Sequence, residues 1–222
     1  LHQAGQGPSG LGLLAELGGG TGTLDTTNTW VLTETATGTV RNALSDNTNW
    51  KLYTRFNCPA AADLAAARDI YSGANNPSNS GASHVARRLV MEWEGRMVTV
   101  ANIVNATFFH GFGPGATAAS IRTTDGVMGF ILASDALNVI TDLAGTETLT
   151  VVSPAPTLTD WNKLRLELSN GQLLAFVNEV LVATHTANIY AGVLRLRAVT
   201  EAEVGASEYQ VSEWRAWAED EV

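Results

Sequence analysis

An all-β fold, an antiparallel sandwich of two sheets, is predicted by three features of this chain: a period-two alternation of apolar residues, hairpin-length turns and many short strands. The alternation is clearest in Trp161 to His185, WNKLRLELSNGQLLAFVNEVLVATH. Leu164, Leu166 and Leu168 alternate with Arg165 and Glu167, which places the leucines on one sheet face. Ser169-Asn170-Gly171 supplies a turn, because Asn and Gly tolerate positive φ. Leu173–Val177 returns, Asn178-Glu179 reverses again with Asn178 expected to carry the positive φ, and Val180–Thr184 leaves.

The other elements follow in order. Residues 1–24 are glycine-rich and form an expected N-terminal arm, with the sandwich domain over 25–222. Leu11, Leu13, Leu14 and Leu17 are that arm's candidate docking residues. Trp30 and Trp50 each follow a run of Thr and Asn turn formers and open strands. Trp50, Leu52, Thr54 and Phe56 share one strand face. Pro59–Ala67 is the single expected helix, over 60–68, from Pro at a first turn and a run of alanines. Residues 73–83 are a loop. Arg87 to Val104 is expected to give two strands around Gly95, with Leu89, Met91 and Trp93 on one face and Val90, Glu92 and Glu94 on the other. Further strands are expected at Thr107–Phe112, Val127–Ala133, Leu137–Asp142, Thr146–Val152, Val193–Val199 and Tyr209–Ala218. Roughly twelve strands at short spacing make a sandwich or jelly roll.

Composition narrows the function. The chain has 222 residues, a net charge of −9 and one cysteine. A core of this size needs no disulfide or metal, and Cys58 reads as a small buried hydrophobe. An acidic surface repels phosphate backbones, so nucleic acid is not an expected partner. No run of 18 apolar residues is present, so a membrane-spanning helix is not expected either. The chain starts at Leu1 without the basic-then-apolar layout of a secretion signal, which reads as removal of a start residue or a longer leader.

Candidate chemistry is sparse. Gly5-Gln6-Gly7-Pro8-Ser9-Gly10 fits a dinucleotide fingerprint in letters only, since no strand fits before it and Pro8 opposes a helix after it. Gly111–Ala116 fails in the same way at Pro114 and Gly115. Glu92 and Glu94 would lie on one strand face about 6.5–7 Å apart, between the retaining and inverting spacings of glycosidases. Alternating charge is also how a solvated sheet face reads, so no catalytic residue is assigned. His2, His84, His110 and His185 lack metal spacing. Asp46–Asn49 and Asn75–Asn79 offer oxygens for calcium but are also natural turn formers; calcium is the lesser alternative and no cofactor is expected. Trp30, Trp50, Trp93 and Trp161 read as core or sheet-packing residues. Trp214 and Trp217 are three apart, so one faces outward unless a bulge intervenes, and both are candidate interface residues.

The Trp161–His185 segment, followed by the last strand EYQVSEWRAW from Glu208, resembles concanavalin A-like and laminin-G-like jelly rolls, in which the final strand returns beside the first. Trp50–Phe56 and Gly126–Phe130 look like two further strands of that fold. Within that group the chain looks most like bacteriophage decoration, fibre or tail-associated modules. The resemblance implies a non-enzymatic virion structural protein, a homo-oligomer binding a capsid or tail lattice through its arm and sheet faces. A carbohydrate-binding, lectin-like module is the alternative, and a glycoside hydrolase the third reading.

Overall fold

The computed structural model describes residues 30–35, 38–44, 52–61, 64–69, 87–98, 106–113, 126–133, 135–191, 195–202 and 205–220. Among these, the regular structure is all strand: β1 (Trp30–Thr35), β2 (Thr39–Leu44), β3 (Leu52–Cys58), β4 (Leu64–Asp69), β5 (Arg87–Met97), β6 (Ala106–Gly113), β7 (Met128–Ala133), β8 (Ala136–Leu143), β9 (Thr146–Val151), β10 (Asn162–Ser169), β11 (Gln172–Val177), β12 (Val180–His185), β13 (Arg195–Ala202) and β14 (Ser207–Asp220). They form two seven-stranded sheets. The first runs β1-β4-β13-β6-β7-β8-β9 and the second β12-β11-β10-β5-β14-β3-β2. Every described pairing is antiparallel. The predicted sandwich is therefore the observed fold.

The core between the sheets is set by alternation. Leu89, Met91 and Trp93 of β5 and Leu164, Leu166 and Leu168 of β10 join it, while Glu92, Glu94, Lys163, Arg165 and Glu167 take the intervening positions. The first sheet answers with Phe108, Phe112, Met128, Phe130, Val139 and Leu196. Tyr209 of β14 sits at the centre. Trp93 Nε1 donates to its hydroxyl at 2.9 Å, and Phe108 stacks on its ring at 4.3 Å. His110 Nδ1 lies 3.3 Å from the same oxygen, and its ring is 4.0 Å from that of Trp93. Burial holds the His110 pKa well below the usual imidazole value and pushes that of Tyr209 up. Cys58 is fully buried, as expected, with Sγ 3.3 Å from the carbonyl oxygen of Thr200.

Four local expectations change. The alanine run is strand, not helix: β4 lies between β1 and β13, with Ala66 opposite both Thr33 and Val199. Hydrogen-bonded ladders on both flanks override alanine's helical preference. Gly95 is no turn, because β5 continues through it. A Cβ at Gly95 would collide with the Tyr209 hydroxyl, so glycine here makes room for the central tyrosine. The last strand does not return beside the first; β14 pairs with β3 and β5. Both turns of the β10–β12 hairpins place two consecutive residues at positive φ: Asn170 and Gly171 at 50° and 70°, Asn178 and Glu179 at 50° and 68°. Asn178 thus does not carry the second reversal alone, as the sequence suggested. This is the turn that matches strand twist. The Asn178 side chain accepts from Lys163 N at 2.9 Å, and Glu179 pairs with Lys163 Nζ at 2.5 Å, which offsets strain at a non-glycine residue.

Candidate functional site

Four adjacent strands of the second sheet, β10-β5-β14-β3, build one row of polar side chains on its outer face. Asn162 lies opposite Gly95, so Trp161, just before β10, is level with Arg96 of β5. Arg96 is opposite Gln210 of β14, and Gln210 is opposite Arg55 of β3. Hydrogen bonds run along this row and its neighbour. Arg96 Nε donates to Gln210 Oε1 at 2.8 Å, Gln210 Nε2 donates to Glu208 Oε1 at 2.7 Å, and Arg55 Nη2 meets Glu208 Oε2 at 2.5 Å. Arg55 also donates to Asn57 Oδ1 at 3.3 Å.

Aromatic rings stand over the row. The Arg96 guanidinium carbon is 4.7 Å from the centroid of Trp161, and the Trp161 and Tyr53 rings are 6.1 Å apart at 59°. Their strands are three spacings apart, about 14 Å, so the rings lean toward each other across β5 and β14. Both rings are half-buried. Two aromatic faces beside a fixed guanidinium and amide are what a sugar ring needs: apolar C–H faces stack, and hydroxyls find donors.

Beyond this patch the same face is a lattice of ion pairs. Lys163 bridges Glu92 at 3.4 Å and Glu179, while Arg215 reaches Glu92 at 3.2 Å and Glu213 at 3.8 Å. Arg88 and Arg165 lie 3.6 and 3.4 Å from Glu167, and Arg165 covers the Phe176 ring at 4.2 Å. The Glu179 pKa is lowered and that of Lys163 raised, each chiefly by their mutual hydrogen bond.

The structure places the sequence candidates as follows. Glu92 and Glu94 do share the outer face, but both Glu92 oxygens are engaged by cations. Neither glutamate lines the cavity between the sheets formed by Gly95, Met97, Phe108, Leu137, Leu164 and Tyr209. Of the tryptophans expected in the core or packed on a sheet, Trp93 is core and Trp161 is half-buried against Tyr53 and Arg96 on the outer face. A bulge does separate Trp214 from Trp217: the register shifts between Ser212 and Arg215, Glu213 has φ 51°, and Trp217 pairs with Val90. The side chains of both tryptophans, and Leu11, Leu13, Leu14 and Leu17, lie outside the described residues, as do the calcium candidates Asp46–Asn49 and Asn75–Asn79. Among the described residues no three His, Cys, Asp or Glu are placed to hold a metal. His110 is buried in the core. His185 ties the sheets together, with Nδ1 3.0 Å from Thr141 Oγ1 and Nε2 2.8 Å from Thr150 Oγ1. Burial lowers its pKa too.

Tyr53, Arg55, Arg96, Glu208 and Gln210 were missed because they come from three strands far apart in sequence. The available signal was their outward parity on strands flanked by core residues, and only the register joins them.

No protein-family model and no curated protein matches the chain. Solved structures do. The alginate lyase AlyC3 in complex with dimannuronate matches with a TM-score of 0.57 and 9% identity over 80% of each chain. An alginate lyase from Corynebacterium sp. matches at 0.55 and 14% identity, covering 79% of this chain and 80% of that one. The binding domain of a botulinum neurotoxin, in complex with rat synaptotagmin II, matches at 0.58 and 9% identity over 95% of this chain and 48% of that one. The chain shares its fold with alginate lyases. At these identities the likeness is one of fold, and it agrees with the concanavalin A-like expectation. It also corrects two others. A non-enzymatic virion structural protein is no longer the reading, because the fold recurs in polysaccharide-cleaving enzymes and these likenesses offer no support for a bacteriophage module. The absence of a linear catalytic motif does not exclude an enzyme, since a site assembled across strands leaves none in the sequence.

Proposed function

We propose that this chain binds and processes a polysaccharide laid across the outer face of the second sheet. The observation that carries the reading is the half-buried Trp161–Tyr53 pair beside Arg96, which the buried Gln210 holds in place on the sheet's outer face. The fold is supporting, being shared with alginate lyases, one of them bound to a disaccharide of mannuronate. Trp161 and Tyr53 offer stacking faces, and Arg96 offers hydrogen bonds to ring substituents. Hydrolytic cleavage of a glycosidic bond adds water across it and delivers a proton to the departing sugar oxygen; in this patch the Tyr53 phenol would give that proton and recover one from the attacking water.

The test is release of new reducing ends from a panel of neutral and acidic polysaccharides, with binding measured separately by calorimetry. Cleavage of at least one polymer, lost in Tyr53→Phe while binding persists, is the expected result. Binding without cleavage of any polymer removes the processing half of the reading. Unchanged cleavage in Trp161→Ala removes the site.

A further inference from the structure

The two sheets end on the same side of the sandwich, at β9 in the first and β12 in the second. His185 of β12 lies 2.8 Å from Thr150 of β9, and Asn188 Nδ2 donates to Thr148 Oγ1 at 2.9 Å, so one edge lies above the other. Exposed large apolar side chains gather here. Among the described residues Leu143, Leu149 and Val151 stand on or beside β9, Val180 and Leu181 on β12, and Val98 alone lies elsewhere.

The two edges differ. A bulge between Ala175 and Phe176 breaks the β11–β12 register, an irregularity that discourages further pairing. β9 keeps continuous register with β8 from Thr146 to Val151, with no proline and one charged residue, Glu147. Val152 N donates to Leu137 O at 2.9 Å, so Thr148, Thr150 and Val152 turn their backbone groups toward β8. Glu147, Leu149 and Val151 therefore turn theirs outward, where no strand pairs with β9 among the described residues. Leu149 is 40% and Val151 62% exposed.

An extended backbone completes such an edge, and β9 fits its own copy. With the strands antiparallel about a two-fold axis at Thr150, Leu149 of each copy stands opposite Val151 of the other. Both residues present N–H and C=O across the seam, so each pair exchanges two hydrogen bonds. Their side chains share one face and cover each other's exposed apolar surface. The register also separates like charges, since the two Glu147 side chains lie six positions apart, about 20 Å. An axis at Thr148 instead sets Glu147 against Leu149, a charge against an apolar side chain. A side about 20 Å long and about 20 Å deep covers roughly 400 Å² per copy, which suits a transient dimer rather than a permanent one.

We propose that this chain forms a weak two-fold dimer through β9, joining two seven-stranded sheets into one continuous sheet.

The test is sedimentation equilibrium on the full chain, with an expected monomer–dimer Kd of roughly 10–100 μM. Copies of net charge −9 repel, so added salt is expected to tighten the dimer by about twofold or more. Val151→Glu sets a carboxylate opposite Leu149 and beside Glu147 of the other copy, and is expected to weaken association by ~10-fold or more. Val98→Glu makes the same change of net charge away from the seam and is expected to stay within about twofold. On mild oxidation Thr150→Cys is expected to crosslink two chains, since Cα atoms about 4.5 Å apart permit a disulfide, whereas Glu147→Cys is not. The native Cys58 is fully buried and does not compete. Melting curves establish that each variant is folded. A chain that stays monomeric up to about 500 μM overturns the dimer, and so does open-ended growth beyond it. Undiminished association in Val151→Glu overturns the role of β9, and crosslinking through Glu147→Cys but not Thr150→Cys overturns the register. The polysaccharide reading stands in every case.

Discussion

The two sheets turn opposite chemistries away from their shared core. On the outer side of the first sheet, Phe109, Ile131, Ile140 and Val199 form a second apolar cluster, each no more than 1% exposed. Buried Asn138, Asp142 and Arg197 take outward positions around it. On the outer side of the second sheet, Arg88, Arg96, Lys163 and Arg165 are partly exposed and stand in ion-pair and hydrogen-bond rows with the buried Glu92, Glu167 and Gln210. The first face is thus an interior surface although it points away from the sandwich core, whereas the second carries partly exposed cations over buried polar partners. A ligand can approach the second without displacing packed side chains. That difference, rather than any motif, places the candidate site.

The contrast can be broken by mutation. Ile140→Asp puts a carboxylate into the buried outer cluster and is expected to cost more than ~4 kcal/mol, since an unpaired buried charge is among the most damaging changes. Urea unfolding measures it, and a loss below about 1 kcal/mol would mean that this face is not an interior. Gly95→Ala comes next. Its methyl group meets the Tyr209 hydroxyl, so an overpacking cost of about 1–3 kcal/mol is expected, together with a changed tyrosine environment in near-ultraviolet circular dichroism.

Acidification is expected to have an intermediate effect. His110 and His185 have pKa values lowered by burial, so they stay neutral in the folded chain while the unfolded chain takes up protons near the ordinary value of ~6.5. Their contribution is full above that pH and is lost as pH falls below it, by at most ~1.4 kcal/mol per pH unit for each histidine. Denaturation midpoints from pH 7.5 to 5 check this, and His185→Gln is expected to flatten the slope. The smallest effect is expected from Glu92→Gln, a buried carboxylate on the second sheet's outer face whose two cations are partly exposed and can return to water. It breaks two ion pairs with half-exposed cations and is expected to cost about 1 kcal/mol or less, less still in high salt.

Much of the fold was legible because a strand's alternation is a local property. The Leu164–Leu168 and Leu89–Trp93 patterns, the Asn170-Gly171 turn and the buried Cys58 needed no knowledge of neighbours. The alanine strand was illegible for the converse reason: Ala65, Ala66 and Ala67 are strand through ladders supplied by β1 and β13, the latter more than a hundred residues away. Gly95 misled in a related way, as its meaning lies in a tyrosine on another strand.

The amino-acid sequence alone determined that the chain is a two-sheet sandwich and which side chains line its core, since period-two hydrophobicity with tight turns admits little else. Tertiary structure decided which outer face meets water and which residues stand together on it. Register between strands separated by up to 155 positions aligns Arg55, Arg96, Trp161 and Gln210, and no local pattern encodes that alignment.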